Sequence, residues 1–203
     1  MRVFTVLSTM FVSFLSFSAN ASLPYVELTH LSAPQATEKI EVVELFSYRC
    51  GHCFNLEPAL ALWVDSLPDD VIFKRVPAMF GGQWDELGQL FLTLETMGAA
   101  PEVHQDIFRT VQKRQRLSTD EEMADFLEGV GVDREKFLAT FHSFVVSGKV
   151  MAAKNKIKDY KISGVPAMVV NNKYTFDLSV GGAEKMFSLA TELLNKERHV
   201  QAL

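Results

Sequence analysis

The strongest constraint on this chain is the placement of its 2 cysteines, Cys50 and Cys53, where a strand gives way to a helix. Ile40 to Phe46 (Ile-Glu-Val-Val-Glu-Leu-Phe) is rich in apolar and β-branched side chains and reads as a buried strand. Beyond Cys50-Gly51-His52-Cys53, residues Leu56, Leu60, Trp63 and Val64 recur at helical spacing until Leu67-Pro68 ends the run. Pro58 lies inside this helix and predicts a kink, because its ring removes one backbone hydrogen bond. A Cys-x-x-Cys pair in that setting reads as a redox centre. A disulfide between such close neighbours closes almost no loop, so it restrains the unfolded chain little. It is a poor staple and a good switch.

The placement also sets the chemistry. Cys50 falls at the helix N-cap, where unpaired N–H groups and the helix dipole favour a thiolate. His52 and Arg49 add hydrogen-bonding and cationic neighbours, and all three influences lower a thiol pKa. Such settings shift cysteine by roughly one to five units, at about 1.4 kcal/mol per unit. The reduced state is thereby stabilised, which makes the disulfide a donor. Cys53, one turn on, faces inward as the resolving thiol. Zinc is the rival use, but a structural site takes four ligands from spaced pairs. No second cysteine pair exists, and His30, His104, His142 and His199 are scattered, reading as surface or satisfied core residues.

Length and composition bound the rest. The 203 residues suit one domain, or one domain with an insertion, and 16 Phe and 8 Met supply a core. Met1-Arg2, an apolar stretch from Val3 to Phe17 and Ala19-Asn20-Ala21 read as a signal peptide cleaved after residue 21. The apolar stretch is shorter than the roughly 20 residues that span a bilayer. Its removal takes one of the 20 basic residues and none of the 25 acidic ones, deepening the charge from −5 to −6. That balance argues against nucleic acid as a partner. The one dense basic run, Lys113-Arg114-Gln115-Arg116, reads as the solvated end of a helix.

Along the chain, Tyr25 to Thr29 and Val71 to Val76 read as strands. From Trp84 to about Gly148 the apolar period is helical. Gly98 closes one helix, Pro101 opens the next, and Ser118-Thr119-Asp120-Glu121 forms a capping box. Asp133 caps a helix expected to carry Phe137, Leu138, Phe141 and Phe144 inward. A lysine-rich helix follows Gly148 and runs to about Tyr160. Ala167 to Val170, the turn Asn171-Asn172 and Lys173 to Phe176 predict a hairpin, and Ala183 to Lys196 a final helix. The order is that of an α/β layer interrupted by helices.

Four stretches carry a family resemblance: Val43 to Tyr48 before the Cys-x-x-Cys motif, Ser143-Phe144-Val145-Val146, Gly164 to Met168, and Asn172-Lys173-Tyr174. In these the chain resembles the bacterial DsbA thiol oxidases over essentially its whole mature length. The resemblance implies a thioredoxin fold with an inserted all-helical domain. Residues 22–80 and 148–203 would form the thioredoxin-like part and 81–147 the insertion. It implies that Pro166 is a cis-proline beside the disulfide that helps bind substrate backbone, with Val165 in the preceding position. The pattern alone says only that Gly-Val-Pro precedes a strand, and most X-Pro bonds are trans. By resemblance Glu44 is a buried acid beneath the active site that tunes the thiols, as Arg49 does from beside them. Strand alternation alone also allows Glu44 to face outward.

The implied activity is periplasmic donation of the Cys50–Cys53 disulfide to reduced or unfolded exported proteins, with no cofactor beyond that disulfide. A DsbB-like membrane quinone reductase would reoxidise the enzyme. No segment reads as a dimerisation domain, so a monomer is expected. One departure bears on direction: Gly51 stands where the family typically has proline, so disulfide isomerase or reductase activity is the alternative on the same fold. A zinc-binding module or a holdase using Phe and Met surface is the non-enzymatic one.

Overall fold

The computed structural model describes residues 23–31 and 39–201; the expected signal peptide lies outside the described residues. Among the described residues, five strands, β1 (Val26–Glu27), β2 (Ile40–Phe46), β3 (Val71–Pro77), β4 (Ala167–Val170) and β5 (Tyr174–Asp177), form one sheet in the order β1-β5-β4-β2-β3. β2 runs parallel to β3, with Glu44 opposite Arg75, and antiparallel to β4, with Glu44 opposite Met168. The parallel pair is joined through α1 (Gly51–Asp65). Asn171 and Asn172 both take positive φ, 51° and 54°, in the three-residue turn that closes the β4–β5 hairpin. Lys173, expected at the start of the strand, belongs to that turn, its N–H donating to the Val170 carbonyl at 2.9 Å.

Between β3 and β4 lie α2 (Gln83–Met97), α3 (Ala100–Gln112), α4 (Asp120–Glu128), α5 (Arg134–Phe141) and α6 (Phe144–Asp159); α7 (Ala183–Gln201) follows the hairpin. Strand alternation divides the core. Val43 and Leu45 join Leu87, Leu90, Ile107, Phe108 and Phe137 of the helical block. Ile40 and Val42 join Leu56 and Leu60 of α1 and Met186, Ala190 and Leu193 of α7. Each fully buried Leu or Phe stabilises the fold by roughly 2 kcal/mol. Gly98 ends α2 in the left-handed region, φ 75°.

Two further local expectations are corrected. Thr119 is the N-cap of α4, accepting from the Glu122 N–H, and Glu122 reciprocates to the Ser118 N–H, so the capping box sits one residue later. The helix begun at Asp133 stops at Phe141, because Ser143 accepts the Val146 N–H and starts a new helix. That break turns Phe144 to solvent, 91% exposed, while Phe137 and Phe141 stay buried.

Candidate active site

β2 delivers Cys50 to the N-cap of α1 with extended backbone, φ −84° and ψ 108°. Its Sγ accepts the N–H of Cys53 at 3.0 Å, and its own N–H donates to the Ser47 carbonyl at 2.9 Å. The first turn of α1 thus points an orphan donor at this sulfur. Cys50 and Cys53 are joined as a disulfide. Cys50 is 7% exposed and Cys53 0%, so a solvent-borne thiol can approach only the first.

The far side of the disulfide is covered by the loop before β4. The Val165–Pro166 bond is cis, and the Val165 carbonyl oxygen lies 3.4 Å from Cys50 Sγ. Val165 and Pro166 share a hollow of about 350 Å³ with His52 and Leu178, and His52 is exposed at its rim. Arg49 is exposed too. Its guanidinium donates to the Gln83 side chain of α2, and it makes no hydrogen bond to either sulfur.

Glu44 is fully buried on β2. Its Oε2 accepts from Arg75 Nε at 3.0 Å, whereas Oε1 has no partner among the described residues. Burial pushes its carboxyl up to about 7, against the pull of Arg75 and helped by the nearby Glu57. Arg75 also reaches Glu57 Oε2 at 3.2 Å, and Gln105 Nε2 donates to the same oxygen at 2.9 Å. Burial raises the Glu57 carboxyl, but His104 and Arg75 outweigh it and hold it below the ordinary range.

His104 continues the chain of polar groups. Its Nδ1 lies 2.9 Å from the Tyr48 hydroxyl and its Nε2 3.4 Å from Glu57 Oε1, longer than a well-made hydrogen bond. Burial pushes the Tyr48 phenol up, so Tyr48 keeps its proton and donates to Nδ1, leaving the Nε2–H facing Glu57. Burial likewise holds the His104 imidazole below its usual pKa, favouring the neutral ring.

The structure therefore gathers Cys50, Cys53, His52, Val165 and Pro166 at one surface, with Glu44 in the sheet and Arg49 on the outer rim. Sequence reasoning missed Glu57, Arg75, His104 and Gln105 as a connected group. One signal was present. Glu57 falls four residues after Cys53, within the stripe that buries Leu56 and Leu60, and a lone acid in an apolar stripe needs a cation.

Comparison with known proteins places this geometry among relatives. The family model for the DSBA-like thioredoxin domain matches residues 69–194. A thiol:disulfide interchange protein DsbA of Pseudomonas syringae pv. tomato is 48% identical over 194 residues, covering 92% of this chain and 91% of that protein. The protein of the same name from Azotobacter vinelandii is 52% identical over 180 residues, covering 87% and 84%. Among solved structures, Pseudomonas aeruginosa DsbA matches with a TM-score of 0.85 at 48% identity, over 89% of this chain and 95% of that one. The oxidoreductase DsbA of Xylella fastidiosa matches with a TM-score of 0.80 at 31% identity, over 87% and 96%.

Proposed function

The chain belongs to the DsbA-like thioredoxin family and is a thiol:disulfide oxidoreductase, and we propose that it donates the Cys50–Cys53 disulfide to reduced, newly exported proteins. The observation that carries this direction is the Cys53 N–H aimed at Cys50 Sγ from the first turn of α1. A donor and a helix N-terminus stabilise negative charge on that sulfur, and so the reduced state.

The exchange runs in two displacements. A substrate thiolate attacks Cys50 Sγ, forming a mixed disulfide while the Cys50–Cys53 bond breaks and Cys53 leaves with the electron pair. A second substrate thiolate then attacks the substrate sulfur of that mixed disulfide, and Cys50 leaves as thiolate. The substrate loses two electrons and the Cys50–Cys53 pair gains them. A low thiol pKa makes Cys50 the better leaving group in the second step. Val165 and Pro166 border the sulfur and offer the substrate backbone a hydrogen-bonding edge, while His52 stands at the mouth of the hollow. Glu44 and Arg49 tune the thiols from beneath and beside them.

The finer reading is of a periplasmic monomer, exported through a cleaved peptide at residues 1–21 and reoxidised by a DsbB-like membrane quinone reductase. Residues 81–147 form the helical insertion in a thioredoxin-like frame of 22–80 and 148–203. Trapping tests the exchange: Cys53→Ala, mixed as its disulfide-activated form with a reduced unfolded protein, is expected to hold a lasting mixed disulfide through Cys50. Cys50→Ala is expected to trap almost none, and equal trapping by both variants would contradict the assigned roles.

A further inference from the structure

The arginines divide into two groups. Of the seven among the described residues, Arg75, Arg109, Arg134 and Arg198 are each ion-paired with a carboxylate. Arg49, Arg114 and Arg116 have no carboxylate partner among the described residues. These three line one concavity of about 540 Å³, together with Gln83, Gln112, Gln115 and Ser118, and no acidic residue among the described ones lines it.

The concavity abuts the redox centre. Arg49 precedes Cys50 in the chain, and Gln112 Nε2 donates to the Tyr48 carbonyl at 2.9 Å. The same amide's oxygen would lie 3.5 Å from a Cβ placed on Gly51. Arg114 also holds an unusual backbone. It follows the C-cap of α3 with φ 60°, a left-handed position that glycine occupies without strain and other residues adopt at a cost. A long cation kept there, beside two further guanidiniums that have no carboxylate partner among the described residues, needs a reason beyond ending the helix.

We infer that this arginine-lined concavity is a subsite for carboxylate groups of the incoming thiol substrate. Resting on the exchange at Cys50 proposed above, it selects substrates whose attacking cysteine is flanked by acidic groups. Guanidinium forks bind carboxylates in bidentate fashion, and the amides of Gln112 and Gln115 and the Ser118 hydroxyl supply neutral donors. A carboxylate seated there holds its neighbouring thiolate against Cys50, and long-range attraction raises the encounter rate. The carboxylate can come from acidic residues flanking a cysteine in a polypeptide, or from the two carboxylates of glutathione.

Rates of reduction of the oxidised protein, read by intrinsic fluorescence, separate these. Three peptides with one cysteine and acidic, neutral or basic flanks are compared at low ionic strength. The acidic peptide is expected to react about tenfold faster than the neutral one, with the ratio falling towards one in ~0.5 M salt as exposed charges are screened. In Arg114→Ser/Arg116→Ser the acidic-to-neutral ratio is expected to fall to about two, and Lys136→Ser/Lys158→Ser, which removes the same charge elsewhere, to keep it near ten. Glutathione against its diethyl ester forms the second arm. A preference for acidic peptides alone assigns the subsite to polypeptides, and a preference for free glutathione alone to the small thiol. Equal rates in both arms with all thiols reacting overturn the subsite while leaving exchange at Cys50 intact. Failure of every thiol to react overturns the exchange itself.

Discussion

Glu44 and Glu197 are buried alike, 0% and 1% exposed, yet their surroundings treat negative charge in opposite ways. At the β4–β5 hairpin, Glu197 accepts from Asn171 at 2.5 Å, from Lys173 at 2.6 Å and from the Tyr174 hydroxyl at 3.0 Å. Burial raises its carboxyl, but those three donors outweigh it and hold it below the ordinary range. In the sheet below α1, Glu44 has one donor and an oxygen with no partner among the described residues, and burial pushes it up to about 7. Burial alone does not set a carboxylate's charge; the supply of donors does. The hairpin is built to keep an anion. The centre of the sheet holds one whose charge can change in the neutral range.

Removing the satisfied acid is expected to have the larger effect. Glu197→Ala leaves buried donors of Asn171 and Tyr174 without an acceptor, at a cost of about 3 kcal/mol. The urea midpoint should drop with the slope unchanged. A midpoint equal to the parent's would mean that the hairpin cluster contributes nothing.

Replacing the under-supplied acid is expected to do the reverse at high pH. Because the folded-state value of Glu44 is raised from 4.5 to about 7, folding favours its protonated form. The stability this contributes is fully present below about 4.5 and is lost as pH rises through about 7. Glu44→Gln should therefore unfold at higher urea than the parent at pH 8, by about 2 kcal/mol, and nearly with it at pH 4.5. A gain that is the same at both pH values would show that titration of Glu44 is not its source.

The smallest effect is expected at the entry to α1. Gly51 is the first helical residue, its N–H makes no hydrogen bond among the described residues, and an added Cβ meets only the Gln112 amide at 3.5 Å. Gly51→Pro should raise stability by about 0.5–1 kcal/mol, by restricting the unfolded chain at a position suited to proline. Loss of stability would mean that the entry is less open than the neighbouring contacts indicate.

These contrasts also mark what the sequence made legible. The strand into Cys50 and the helix after it follow from short-range pattern and stand where that pattern places them. The hairpin turn also opens at Asn171-Asn172 but takes in Lys173, one residue more than the pattern shows. Phe144 was misplaced because Ser143 interrupts an apolar period that otherwise runs on, and a cap decides such a break more locally than a stripe can show. Beyond the lone acids Glu44 and Glu57, the pairing of Glu44, Glu57, Arg75 and His104 into one polar group is not legible in the sequence, because its partners come from β2, α1, β3 and α3. Only tertiary pairing brings those elements together. The basic run at Arg114 and Arg116 looked like an ordinary helix end until packing set it beside Arg49.

The direction of electron flow is tested most directly by the relative stability of the two redox states. Urea midpoints of the oxidised and reduced protein at pH 7 give it without any substrate. If the donor from the first turn of α1 stabilises a Cys50 thiolate, the reduced protein is the more stable by a few kcal/mol, at about 1.4 kcal/mol per unit of thiol shift. A structural disulfide has the opposite order, because the cross-link restrains the unfolded chain. An oxidised form clearly more stable than the reduced one would contradict disulfide donation and make the protein a reductant or isomerase on the same fold.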